Sequence, residues 1–310
     1  MSAAIEIRDL SKRYGQDIVL DNLNLTIDEG EIYGFLGPNG AGKSTTIDMI
    51  MDFRRPNEGT IRVFGMDPQS KPRAVKRRVG VLPDGFNVHP SWTGREHLDL
   101  VIGTKRSDDD PIDLLNRVGL HDVADRAASD YSKGMRQRLG LAMALVGTPD
   151  LLILDEPFTG LDPQGTRTIR EITYEEHERG ATVFFSSHVL GQVELICDQI
   201  GILDDGQLTA EGTLSALREE ASLGPTVRID TNGTMAEIRQ VASSVPGIDH
   251  VSVDDTSLVV QLDEGGSSDR LETALEEADL SVKNFTVEQP SMEAVFLAHI
   301  DSVATQEAGQ

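Results

Sequence analysis

The sequence predicts an α/β fold built on a parallel sheet, followed by a small α+β domain, and three observations carry that prediction. LLILD (151–155) and ATVFFSS (181–187) are continuous apolar runs, the pattern of strands buried on both faces of a parallel sheet. EIYGFLG (31–37) is a third apolar strand, and it runs straight into a Gly-rich loop and then a helical pattern. Beyond Leu223, Gly224 and Pro225 the composition shifts and the predicted order becomes strand, helix, strand, strand, helix, strand, the ferredoxin-like arrangement.

Taken in chain order, AIEIRDL (4–10) and LDNLNLTID (20–28) alternate apolar and polar residues, so they read as two strands joined by a turn near Tyr14 and Gly15. STTIDMIMDF (44–53) has helical apolar spacing and stops before Pro56; TIRVFG (60–65) and RRVGVLP (77–83) are short strands. From 91 to 146 the pattern is helical, with a capping box at Thr93 and Glu96 and with Pro111 suited to a first helical turn. TRTIREITYEEHE forms a helix that Gly180 ends, and IGILDDGQLTAEG (200–212) reads as a hairpin. In the last segment the strands are 226–230, 249–255, 257–263 and 281–288, and the helices are 235–245, 268–279 and 291–300. The expected divisions are 1–222, 224–300 and a disordered tail at 301–310.

Net charge is −24, with 28 Lys and Arg against 52 Asp and Glu, and seven of the basic residues are Lys. That balance argues against a nucleic-acid binder, because phosphate-backbone contacts need clustered Lys and Arg. Acidic excess with scarce Lys suits either the cytosol of a high-salt cell, where screening relieves self-repulsion, or an ordinary acidic soluble protein. No apolar run approaches the ~18 residues of a membrane span, and MSAAIEIRDLSKRYG lacks the apolar core of a secretory leader. Cys197 is the lone cysteine, which excludes an intramolecular disulfide and fits a reducing compartment.

The Gly-rich loop is GPNGAGKST: Gly37, Pro38, Asn39, Gly40, Ala41, Gly42, Lys43, Ser44 and Thr45. Placed between a strand and a helix, it fits a P-loop that binds a nucleoside triphosphate. The glycines let backbone N–H groups turn inward around phosphates, and the helix N-terminus adds a favourable dipole. Lys43 is placed to neutralise the β/γ-phosphate oxygens and the Ser44 hydroxyl to ligate Mg²⁺. Asp155 ends the strand LLILD and can hold Mg²⁺, while Glu156, next along, can polarise an attacking water.

The richest stretch is YSKGMRQRLGLAMALVGTPDLLILDEPFTGLD (131–162). Together with the P-loop it resembles the nucleotide-binding subunit of an ABC transporter, over about residues 4–220. The resemblance implies an ATPase with a P-loop NTPase core, an antiparallel β subdomain and a helical subdomain near 91–146. It also implies ATP and Mg²⁺ as ligands, and a dimer of two copies, or of this chain and a close paralogue, closing head to tail around two nucleotides. YSKGM stands for the family's LSGGQ signature, so Ser132 and Gly134 would contact the nucleotide of the opposing copy; Lys133 and Met135 depart from the motif. His188, in FFSSHVL, resembles the switch histidine that contacts the γ-phosphate, and Gly160–Asp162 resembles the D-loop. Tyr14 takes the place of the aromatic stacked on adenine, and Asp84, in VGVLPDGFNVHP, stands where Gln is typical, facing Mg²⁺ or water.

VELICDQIGILDDGQLTAEGT and PSMEAVFLAHI look like the ATPase subunits of ABC-2-type systems, mostly exporters of drugs, lipids or polymers. The expected partner is then a separate transmembrane permease, with this chain peripheral on the inner face of the cell membrane. KPRAVKRR (71–78), a basic cluster in an acidic chain, is either a solvated helix face or a surface near lipid headgroups or a membrane partner. The rival reading is a soluble ABC ATPase of translation or DNA repair. Such proteins carry tandem cassettes or a long coiled coil, and this chain shows one cassette and no heptad run.

Overall fold

The computed structural model describes residues 2–307 except 222, 232–234, 255–256, 264, 279 and 281. It divides into two compact units, Met1–Thr213 and Leu214–Gln310.

In the first unit β1 (Ala3–Tyr14) and β2 (Asp17–Asp28) pair antiparallel. Their apolar alternation places Ile5, Ile7, Leu10, Leu20, Leu23, Leu25 and Ile27 in the core. The chain then forms β3 (Ile32–Leu36) and α1 (Lys43–Ile50), and β4 (Glu58–Val63) returns to the other side of β1, giving a three-stranded sheet of order β2-β1-β4.

Next come α2 (Pro72–Arg78), β5 (Val79–Leu82) and the helical segment α3 (Gly94–Lys105), α4 (Pro111–Arg117) and α5 (Lys133–Leu145). Thr93 and Glu96 form the full capping box of α3, and Asp110 caps α4 ahead of Pro111. The chain re-enters the core through β6 (Leu151–Asp155), α6 (Pro163–Glu178), β7 (Thr182–Ser187), α7 (Leu190–Val193), β8 (Gln199–Asp204) and β9 (Gln207–Gly212).

Six strands make the central sheet, in the order β5-β6-β7-β3-β8-β9. Pairing is parallel throughout except for the β8–β9 hairpin. Every residue of β3, β6 and β7 is buried, as their unbroken apolar runs require. Strand register aligns the ends of these three: Leu36 lies opposite Ser187, and Asp155 lies opposite Ser186. The carboxyl ends of β6, β7 and β3 are therefore level and adjacent, the usual place for a ligand in a parallel sheet.

The second unit begins with α8 (Leu214–Glu220), which the sequence reading places in the first segment. It continues as β10 (Leu223–Thr231), α9 (Met235–Ala242), β11 (Ile248–Asp254), β12 (Ser257–Asp263), α10 (Ser268–Glu277), β13 (Val282–Glu288) and α11 (Met292–Glu307). The sheet order β11-β12-β10-β13, all antiparallel, is the ferredoxin-like one. Val227, Ile229, Leu258 and Val260 pack with Ile238, Leu271 and Leu275 from α9 and α10.

The sequence reading places a disordered tail at 301–310; α11 is assigned over Met292–Glu307, and 308–310 lie outside the described residues. The stretch Met292–Glu307 has no Pro or Gly to interrupt helical propagation.

Candidate active site

A cavity of about 290 Å³ opens at the level strand ends, lined in part by Asn39, Gly40, Gly42, Lys43, Ser44, Thr45, Asp84 and Glu156. The loop from Gly37 to Gly42 connects β3 to α1. Gly42 sits at φ +108°, and a Cβ there would lie 2.6 Å from Leu20 Cδ2 and 2.8 Å from Val19 O. Only glycine meets both demands. The first helical hydrogen bond of α1 runs from Thr46 N to Gly42 O at 2.9 Å. The N–H groups of Lys43, Ser44 and Thr45 precede it and Gly42 supplies no side-chain cap, so the turn can receive an anion.

Lys43 is 6% exposed. Its Nζ donates to Gly37 O at 2.7 Å and Pro38 O at 3.1 Å, and stands 3.7 Å from Glu156 Oε1. Burial lowers its pKa, while the negative charges of Glu156, Asp155 and Asp84 work the other way.

Asp155 is 4% exposed at the end of β6. Burial raises its carboxyl above the ordinary range; hydrogen bonds from Ser186 and Ser44 oppose that rise, and the charge of Asp84 adds to it. Ser186 Oγ donates to Asp155 Oδ1 and accepts from Glu156 N at 3.1 Å.

Glu156 comes next in a left-handed conformation, φ +50°, unusual for a side chain of this size. Its N–H is fixed by Ser186, so the turn aims the carboxylate toward Lys43 and His188. His188 Nδ1 lies 2.7 Å from Glu156 Oε2. An ionised carboxylate only accepts, so Nδ1 carries the proton, and in the neutral ring Nε2 is the acceptor.

Lys43, Ser44, Asp84, Asp155, Glu156 and His188 thus converge. Asp84 Oδ1 accepts from Gly85 N at 2.7 Å, which holds the carboxylate at the cavity wall. Ser132 and Gly134 stand apart from the cavity at the start of α5, where the Ser132 side chain accepts from Met135 N at 3.2 Å. Asp162 caps α6, accepting from Gly165 N at 2.7 Å. Tyr14 does not line the cavity; its ring is 39% exposed, with Lys12 Nζ at 5.0 Å and Arg54 Cζ at 5.5 Å from the centroid.

Sequence reasoning missed Ser186. In FFSSH the histidine drew attention, yet a hydroxyl inside an apolar strand needs a buried partner, and that need was the available signal. Ser186 ties Asp155 and Glu156 into one unit.

Among the described residues no three His, Cys, Asp or Glu side chains cluster as a self-sufficient metal site. The pairing of the Ser44 hydroxyl with the Asp155 carboxylate, with the Asp84 charge nearby, is instead a sparse set of hard oxygen donors. Such a set suits Mg²⁺, which takes one or two carboxylates and completes its shell with phosphate and water.

Comparison with known proteins agrees with this geometry. The ABC transporter family matches residues 20–159, and the C-terminal domain of DrrA1-3-like ATP-binding proteins matches residues 212–300. The daunorubicin/doxorubicin resistance ATP-binding protein DrrA of Streptomyces peucetius is 37% identical over 320 residues, covering 99% of this chain and 96% of that protein. The bacitracin transport ATP-binding protein BcrA of Enterococcus faecalis is 40% identical over 71% of this chain and 72% of its own length. Among solved structures, an ATP-binding subunit of an ABC transporter is similar with TM-score 0.65 and 32% identity, over 70% of this chain and 92% of that one. A dimeric ATP-binding cassette in a post-hydrolysis state with ADP and Pi is similar with TM-score 0.62 and 25% identity, over 68% and 98%.

Proposed function

Starting from the premise that this chain belongs to the ABC transporter family as an ATP-binding subunit, we propose that it drives an ABC-2-type permease in export, using a nucleotide site shared between two copies. The chain is an ATPase that powers a separate permease, and no helix among its described residues is long and apolar enough to cross a membrane. Its relatives serve drug resistance, bacitracin transport and Nod factor export, which supports an outward direction here. The DrrA-like second unit supports the ABC-2 assignment, and a multi-helix membrane protein in the neighbouring reading frame would accord with it.

The observation that carries the mechanism is the Glu156 carboxylate, held between His188 Nδ1 at 2.7 Å and Lys43 Nζ at 3.7 Å. In the working site the amides of Gly40–Thr45 hold the phosphates and Lys43 neutralises β/γ oxygens. Ser44 and Asp155, with Asp84 beside them, would hold Mg²⁺, which would supply positive charge against the charge that develops in transfer. Glu156 takes the proton of the attacking water, and His188 keeps that carboxylate and the water aligned with the γ-phosphate. Tyr14 offers a ring face to adenine. Ser132 and Gly134 of a second copy close over the γ-phosphate, and Asp162 begins α6 at the loop that faces that copy.

The permease docks in a second cavity of the first unit, about 750 Å³, between α2 and β5 on one side and α3 and α5 on the other. Its lining includes Phe53 and Leu100, both more than half exposed, together with Arg73, Lys76 and Arg77. Exposed apolar side chains beside cationic ones suit a membrane protein's inner segment near anionic headgroups. The chain is therefore peripheral on the inner membrane face.

Glu156→Gln tests the shared site. ATP binding should persist, turnover should fall by about 10²-fold or more, and light scattering should show an ATP-dependent dimer. A monomer at saturating ATP and Mg²⁺ would refute the composite site.

A further inference from the structure

We propose that Lys133 of one copy supplies cationic charge that the nucleotide site of the other copy lacks, acting on the bound triphosphate beside Asp84. The inference rests on the composite-site reading above and adds to it a residue and a reason.

The reason is the charge of the cavity. Its own groups include one ammonium, Lys43, set among the carboxylates of Asp84, Asp155 and Glu156, and all three act electrostatically on that ammonium. With the Mg²⁺ that Ser44 and Asp155 would hold, the site's positive charges only cancel these carboxylates, so the charge of the triphosphate itself is left unmatched. Asp84 is the unusual member, since a neutral glutamine at that place would add none.

Lys133 is unusual in the complementary sense and sits in the complementary half. It stands between Ser132, which caps α5, and Gly134, and it is exposed. Its stem lies across Gly160: a Cβ built on Gly160 would be 2.7 Å from Cδ, Cε and Nζ of Lys133. Gly160 has φ +73°, so its backbone favours glycine there, and the absence of a Cβ leaves room for the end of the lysine. On the next step of the loop, a Cβ on Gly134 would meet Leu161 Cδ2 at 3.3 Å. The ammonium thereby rests on the turn at Gly160, beside the residues Ser132 and Gly134 that flank it in sequence. If these residues close over the partner's nucleotide, the lysine arrives with them.

Two substitutions separate charge from packing. Lys133→Met keeps the stem on Gly160 and removes the charge, and Lys133→Arg keeps the charge. In the full-length Glu156→Gln chain, light scattering across an ATP titration gives the ATP concentration for half-dimerisation. Lys133→Met should raise it about tenfold, the scale of losing one partner of a close interfacial charge contact, and added KCl should help this variant more than its parent. Lys133→Arg should stay near the parent. With Asp84→Asn also present, the Lys133→Met penalty should shrink, because coupled sites are not additive. Parent-like ATP demand and salt dependence in Lys133→Met would overturn the inference while leaving the composite site standing. A Glu156→Gln chain that never dimerises would remove both, and that result is read before any Lys133 variant is compared.

Discussion

Asp155 shows how a single residue trades stability for chemistry. It is 4% exposed, and burial raises its carboxyl above the ordinary value of 3.8. A carboxyl that binds its proton more readily when folded lowers stability as pH rises from its unfolded value through its raised folded value, and the whole penalty stands above that folded value. Asp155→Asn should therefore stabilise the nucleotide-free chain at pH 7 by ~1 kcal/mol, within the usual range for relieving a functional residue. The gain should vanish at pH values where the carboxyl is protonated in both states, and turnover should be lost throughout. Thermal melts with pH decide it: a lower midpoint at pH 7 would mean that the bonds from Ser186 and Ser44 outweigh burial. At this scale Lys43, Asp155, Glu156 and His188 were legible from strand-end position. Ser186 was not, because its role depends on which strand lies beside β6.

At the scale of elements, α5 does two jobs from one end. Ser132 caps it through Met135 N, and the same turn offers Ser132 and Gly134 to a second copy in the proposed dimer. Ser132→Asp separates the two, since aspartate is as good a cap and suits the helix dipole. The melting midpoint should hold within ~0.5 kcal/mol, while the new carboxylate opposes the partner's phosphates and ATP-dependent dimerisation in the Glu156→Gln background falls sharply. Undiminished dimerisation would sink the assigned role. The starts of α3 and α4 were readable because Thr93, Glu96 and Pro111 act through neighbours in sequence.

At the scale of the whole molecule, a net charge of −24 must be accommodated twice over if two copies close together. At about 1 M salt the Debye length falls to about 3 Å, so repulsion between exposed carboxylates is largely screened. Turnover should accordingly rise as KCl is raised toward molar levels, measured as phosphate release by the full chain at fixed ATP and Mg²⁺. An optimum at low salt would refute the high-salt reading. The Lys133 contact is screened by the same salt, and for that reason the Lys133→Met comparison is made across KCl rather than at one concentration.

The sequence by itself determined the α/β class, the P-loop, the carboxylate pair after LLILD and the family to which the chain belongs. Each of these is written in local periodicity or in short motifs whose chemistry needs only neighbouring residues. The tertiary structure decided the features that depend on residues far apart in the chain. It set the β6-β7-β3 order that levels Asp155, His188 and the P-loop, the left-handed turn that aims Glu156, and the contact of Lys133 with Gly160. Strand order and loop contacts arise from how apolar faces pack against one another, and no local window of sequence contains that information.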